Sequence, residues 1–274
     1  MALLSYQEKD TLVHKLSGVT KLIFFILWSV VSMITYDTRV LAAMLVISTV
    51  LYKITQIEWR EIKGIFTVIL FFLVINLLAI YIFSPYEGCK IYNSKTVIWQ
   101  ISKHYALTGE QLFYEFNVLL KYLVVVPSVF IFLMTTNPSE FAASLNKVGV
   151  NYKFGYSLAI ALRYIPDVQA DFNQIKLASQ ARGIEMSKKA SLIQRIKNTM
   201  PILFPLIFSS MDRIDVVSNA MELRGFGKNK KRTWYSAKPF KRNDYIVIGI
   251  TVLFSFIALI ITFLNGNRFY NPFN

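Results

Sequence analysis

Two stretches of this chain place an arginine and a glycine together at the end of a helix-forming run. The first reads Ala178-Ser179-Gln180-Ala181-Arg182-Gly183, and the second Ala220-Met221-Glu222-Leu223-Arg224-Gly225. Glycine is favoured just past a helix C-terminus because it takes the left-handed conformation without a Cβ penalty. A cation in the last turn is favoured by the helix dipole, by up to about 1 kcal/mol. Capping accounts for one such ending, whereas two in one chain point further. A guanidinium is a planar fork that bonds a carboxylate through two parallel N–H donors. Two tips so armed would plug into acidic grooves on partner proteins. The expected contacts are Ala181, Arg182 and Gly183 at one tip, and Leu223, Arg224 and Gly225 at the other.

Other chemistry is sparse. The chain lacks a Gly-x-x-x-x-Gly-Lys-Ser/Thr stretch, which argues against nucleotide binding by a phosphate loop. Gly225-Phe226-Gly227 lacks the third spaced glycine of a dinucleotide fingerprint and follows a helix. The two histidines, His14 and His104, lie far in sequence from the single cysteine, Cys89. That pattern suggests neither a metal-ligand cluster nor a nucleophilic triad, so no catalytic residue, metal or cofactor is expected. Asp212, Arg213 and Asp215 beside an apolar run read as a local ion pair with Arg213 at the membrane's inner edge.

These tips need elements to carry them, and composition says where those elements sit. Of 274 residues 54% are hydrophobic and 17% charged, with mean hydropathy +0.44. A soluble domain carries roughly a quarter charged residues. The apolar residues are bunched into uncharged runs: Leu22 to Tyr36, Val40 to Tyr52, Gly64 to Tyr86, Tyr122 to Ser139 and Tyr245 to Asn267. The first two, shorter than the roughly 20 residues a spanning helix needs, read as a tight hairpin. Trp28, Tyr36 and Tyr52 are expected at interfaces, with Lys21, Arg39 and Lys53 snorkelling to headgroups. The beginning, Met1 to Leu16, lacks a secretory design, so the first run is expected to stay as a membrane helix.

The formal net charge is +14. Fifteen of the 30 Lys and Arg residues lie between Lys176 and Arg242, beside hydrophobic runs, as in cytoplasmic loops. No soluble basic domain with interleaved aromatics is present to read nucleic acid. The expected fold is therefore all-α and polytopic, with about five transmembrane helices and long amphipathic cytoplasmic helices. Residues 1–136 would hold four spans with an extracellular insert at about 85–116. Residues 137–243 would hold the cytoplasmic helices, started or kinked by Pro166, Pro201 and Pro205. Residues 244–274 would hold the last span and tail. The N-terminus and residues 137–243 would face the cytoplasm across the cell membrane. Lys228, Lys230, Lys231 and Arg232 are expected beside anionic lipid heads, with Trp234 and Tyr235 marking the interface again.

With these features in order, the chain resembles the transmembrane (T) component of energy-coupling-factor (ECF) vitamin transporters. The resemblance is carried by Leu12-Val13-His14-Lys15-Leu16, Thr20-Lys21-Leu22, Thr135-Thr136-Asn137-Pro138, Ala161-Leu162-Arg163-Tyr164-Ile165-Pro166, and the Ala-Arg-Gly motif at Ala181-Arg182-Gly183. The second motif departs from it, with Leu223 before Arg224-Gly225. The resemblance implies a non-enzymatic subunit that binds two ATP-binding-cassette ATPases, one at each arginine tip. It would pass their motion to a small membrane S component that captures the vitamin. Rival readings are a membrane-embedded enzyme on an anionic lipid or isoprenoid phosphate, using Arg182, Arg224 and Asp171, and a secondary transporter. The latter would show inverted repeats, and no second half matching the first is visible.

Overall fold

A computed structural model describes residues 9–100, 105–184, 191–229, 233–235, 238–264 and 268–273. Helix α1 covers Leu12–Lys15, α2 Gly18–Ile34, α3 Thr38–Ile54, α4 Trp59–Phe83 and α5 Glu87–Tyr92. A two-stranded antiparallel hairpin, β1 Val97–Gln100 with β2 Ala106–Thr108, precedes α6, Gly109–Thr135. Then follow α7 Pro138–Lys147, α8 Tyr152–Ala181, α9 Leu192–Leu223 and α10 Arg242–Phe263. Among the described residues the fold is all-α apart from that hairpin. Three of these helices, α4, α6 and α10, are long and apolar enough to cross a bilayer. Helices α2 and α3 have 17 residues each, about 25 Å at 1.5 Å per residue, slightly short of a roughly 30 Å hydrocarbon core. The described chain divides into two units, Met1–Glu140 with Lys238–Asn274, and Phe141–Ala237.

In the first unit, short polar side chains set the helix starts. Ser17, Asp37 and Thr108 cap α2, α3 and α6 by accepting from the backbone N–H of Thr20, Arg39 and Gln111, satisfying donors that a first turn leaves unpaired. The core joins α2, α3, α6 and α10 through Trp28, Val31, Val40, Met44, Val124 and Ala258. Trp28 is stacked between Phe24 at 5.0 Å and Phe254 at 5.1 Å, so it is a core residue rather than an interface marker. One-dimensional hydropathy does not say which face of a helix meets protein, so a tryptophan in an apolar run reads equally as either.

Two lysines in this unit are buried, and each closes the end of the other's helix. Lys21 of α2 donates to the backbone oxygen of Thr135, the last residue of α6, at 2.6 Å. Lys121 of α6 donates to the backbone oxygen of Met33, near the end of α2, at 2.8 Å, with its ammonium 3.1 Å from the centre of the Tyr36 ring. The C-terminal carbonyls of a helix have no partners within it and carry partial negative charge. Lys21 therefore does not snorkel as expected. Arg39 is exposed and pairs at 2.8 Å with Asp37, the cap of its own helix. Buried Asp244 of α10 ties the N-terminus in, accepting from Ser17 N, Thr20 Oγ1 and Lys241 N, each at 2.8 Å.

The insert is a built element rather than a plain polar stretch. Glu110, fully buried, accepts from Ser94 Oγ at 3.0 Å and from Thr96 N at 2.8 Å, and also from Thr96 Oγ1. A Cβ on Gly88 would overlap the backbone of Glu110 and Gln111, so glycine is what lets α5 lie against α6.

In the second unit α8 and α9 pack side by side and antiparallel. Phe226, just past α9, meets Tyr152 and Tyr156 at the start of α8, with ring centres 5.8 and 4.8 Å apart. Pro166 lies inside α8, and Pro201 and Pro205 lie inside α9, none of them starting a helix. Ala142 and Ala143 are buried, and Gly155 stands so close to Ala142 that an added Cβ would lie 2.9 Å from its carbonyl oxygen. Trp234 packs on that same glycine and donates to Asn146 Oδ1 at 3.1 Å. It is half-buried, held within this unit by those two contacts. Tyr235 is exposed.

Candidate functional site

The two arginine tips have the same backbone geometry. At the end of α8, Gly183 has φ +86°, its N–H reaches Gln180 O at 3.0 Å, and Ile184 N–H reaches Ser179 O at 3.1 Å. At the end of α9, Gly225 has φ +69°, its N–H reaches Glu222 O at 2.9 Å, and Phe226 N–H reaches Met221 O at 2.9 Å. This paired closure is the Schellman motif, and the left-handed residue in it is where glycine is required. Helix α7 closes the same way, with Gly149 at φ +107°, Gly149 N–H to Asn146 O at 3.1 Å and Val150 N–H to Leu145 O at 3.0 Å. There Val148 stands where Arg182 and Arg224 stand. The closure thus needs the glycine but not the arginine, which leaves the two guanidinium groups without a structural assignment from capping.

Both arginines are exposed, and among the described residues neither guanidinium has a hydrogen-bond or ion-pair partner within the chain. Leu223, beside Arg224, is 91% exposed. An uncovered cation next to an uncovered leucine suits a groove with an acidic floor and an apolar wall. The tips do not converge. Arg224 lies at the α9 end that meets Tyr156, near the start of α8, whereas Arg182 closes the other end of α8. About 26 residues of helix at about 1.5 Å each separate Tyr156 from Arg182, or roughly 40 Å.

Asp171, which the enzyme reading joins to both arginines, is about 11 residues before Arg182, roughly 16 Å along the helix. It pairs instead with Arg213 of α9, oxygen to Nη2 at 2.8 Å, each side chain about a third exposed at 32% and 36%. The expected pairing of Arg213 with Asp212 or Asp215 is not what forms. Residues one and two apart on a helix do not face each other, while antiparallel α8 presents Asp171 directly. The Tyr164 ring lies 5.8 Å from the same guanidinium. Beside this bridge, Ile160, Ala161, Val168, Ile214 and Val217 line a groove of about 410 Å³. Nothing in one dimension says which residues of two helices meet, so the Arg213–Asp171 link carries no sequence signal. Of the expected lipid-facing basic strip, Lys228 is exposed, while Lys230, Lys231 and Arg232 lie outside the described residues.

The model of the CbiQ family, described as cobalt transport protein, matches residues 9–235, a span that holds both arginine tips. The chain belongs to this family. Its relatives include the "energy-coupling factor transporter transmembrane protein EcfT" of Leuconostoc gelidum subsp. gasicomitatum, 26% identical over 93% of this chain and 94% of the relative. Proteins of the same name in Streptococcus equi subsp. equi and Staphylococcus aureus are 24% and 25% identical. They cover 90% and 94% of this chain, and 91% and 96% of their own lengths. As a CbiQ-family member the chain is a transmembrane component of a transporter, in keeping with its apolar helices.

Proposed function

We propose that the chain is the energy-coupling T component of an ECF-type importer of a vitamin or other micronutrient. Two ATP-binding-cassette ATPases seat on it, one at Ala181-Arg182-Gly183 and the other at Leu223-Arg224-Gly225, each taking an arginine into an acidic groove. A small membrane S component captures the substrate and receives the motion that ATP drives in the ATPase pair. The segment 137–243 and the N-terminus face the cytoplasm, and the 85–116 insert faces outward across the cell membrane.

The observation that carries this reading is the pair of identically closed, uncovered arginine tips at opposite ends of antiparallel α8 and α9. Their separation suits two partner subunits better than one small anion. The same separation weighs against the lipid-phosphate enzyme, which needs Arg182, Arg224 and Asp171 around one substrate. The test is a detergent pull-down of the tagged chain from its native membranes beside an Arg182→Ala, Arg224→Ala variant. Wild type is expected to bring down two ATPases and a small membrane protein, and the variant to lose the ATPases. Capture of the same ATPases by both would end the assignment of the arginines. Wild type arriving alone would end the T-component reading.

A further inference from the structure

We infer that the β1–β2 hairpin is a membrane-interface anchor, seated among the lipid headgroups at the end of α4 with Trp99 at the boundary. All four residues of β1 are exposed, with Ile98 at 62% and Trp99 at 71%, although three of the four are Val, Ile and Trp. The partner strand is turned inward: Ala106 and Thr108 are buried. β1 is therefore an edge strand bearing its apolar side chains outward. In water such an edge is a template for pairing with other chains, and a lone two-stranded ribbon is marginal.

What covers it follows from where it is fastened. Tyr105, next to β2, donates through its hydroxyl to Ile82 O at 3.3 Å, and its ring lies 6.4 Å from that of Tyr81. Both contacts are on the last turn of α4, whose most apolar stretch is almost wholly unburied within the protein and ends in Phe83, itself 85% exposed. The apolar edge of the hairpin thus continues the lipid-facing surface of a spanning helix. Trp and Tyr concentrate at that level because their rings are apolar with one polar atom. Here Tyr81 and Tyr105 meet at the end of α4, Lys95 holds its ammonium 4.7 Å from the Tyr86 ring, and Trp99 stands on β1 opposite Leu107 of β2. The seat is held at a fixed height. Thr96, immediately before β1, donates its N–H to the buried Glu110 carboxylate, and its oxygen accepts from Gly109 N at 3.1 Å.

The test uses the full chain in vesicles of phosphatidylcholine and phosphatidylglycerol. The phosphatidylcholine is brominated either near the headgroup end or near the methyl end of its acyl chains. The Trp99 emission is the difference between wild type and Trp99→Phe, an exposed position where the change leaves packing intact. The expected component is quenched more by the shallow bromines than by the deep ones, and little by aqueous iodide. A component quenched by iodide and by neither lipid would overturn the proposal in favour of a water-facing loop. A component shielded from all three quenchers would overturn it in favour of cover by protein.

Discussion

The two units of this molecule use cations in opposite ways. Between α2 and α6, Lys21 and Lys121 are buried, and each ammonium donates to the carbonyls at the end of a neighbouring helix. In the α8–α9 pair, helix ends are closed by glycine alone, and the arginines standing at them are left uncovered. A charge taken out of water must find partners within the chain. A charge left in water beside an exposed leucine is available to a partner outside it. The first arrangement fixes a structure, and the second offers a contact.

The sharpest way to break this contrast is at the tips. Arg224→Lys keeps the charge but loses the two-pronged geometry, and Arg224→Ala loses both. If the contact is a buried charge-assisted pair, removing one side costs about 3–5 kcal/mol. ATPase binding to the Ala variant should then fall by at least about a hundredfold, with Lys in between, while the melting temperature of the isolated chain stays put. An equal fall in both quantities would make the arginine structural. Asp244→Ala tests the opposite case, because it leaves the buried Ser17 N–H without its acceptor, at about 1–3 kcal/mol, and takes one away from the Thr20 hydroxyl and from the N–H of exposed Lys241 as well. It should lower the melting temperature in detergent more than any tip substitution. Lys121→Met should cost about 1–3 kcal/mol by exposing the end of α2 to hydrocarbon without a donor, read in the same melting experiment. Gly225→Ala forces a Cβ into a left-handed position at about 1–2 kcal/mol. It should weaken ATPase capture by re-aiming Arg224, with Gly225→Asn milder. The smallest effect belongs to Arg213–Asp171. A partly exposed pair is worth about 0–1 kcal/mol, so a double-mutant cycle on thermal stability should give a coupling within that range.

The positions of the membrane helices were legible because hydrocarbon demands long apolar runs, and the helix ends at Arg182 and Arg224 because glycine punctuates them. What the sequence concealed is three-dimensional. Lys121 sits one residue before the uncharged run starting at Tyr122, so that run seemed to begin after the charge, whereas α6 begins at Gly109. Lys21 looked like a residue at a helix edge reaching for water, and Trp28 like a headgroup marker. Both are buried because of which helix lies across from them. The β1–β2 hairpin was hidden by its four- and three-residue strands, too short for alternation to declare itself. The tip contacts rest on side chains whose meaning depends on a surface outside this chain.

The crossed lysines also constrain the order in which the protein can be completed during synthesis. Lys21 waits for a carbonyl 114 positions later in the chain, and the end of α2 waits for an ammonium 88 positions later. Ser17 waits longer still, for a carboxylate 227 positions on. The first membrane helix therefore leaves the ribosome with both ends unfinished. It acquires its final set of bonds once the last helix has entered the bilayer, so a chain that stops short of α10 lacks the closure of its own beginning.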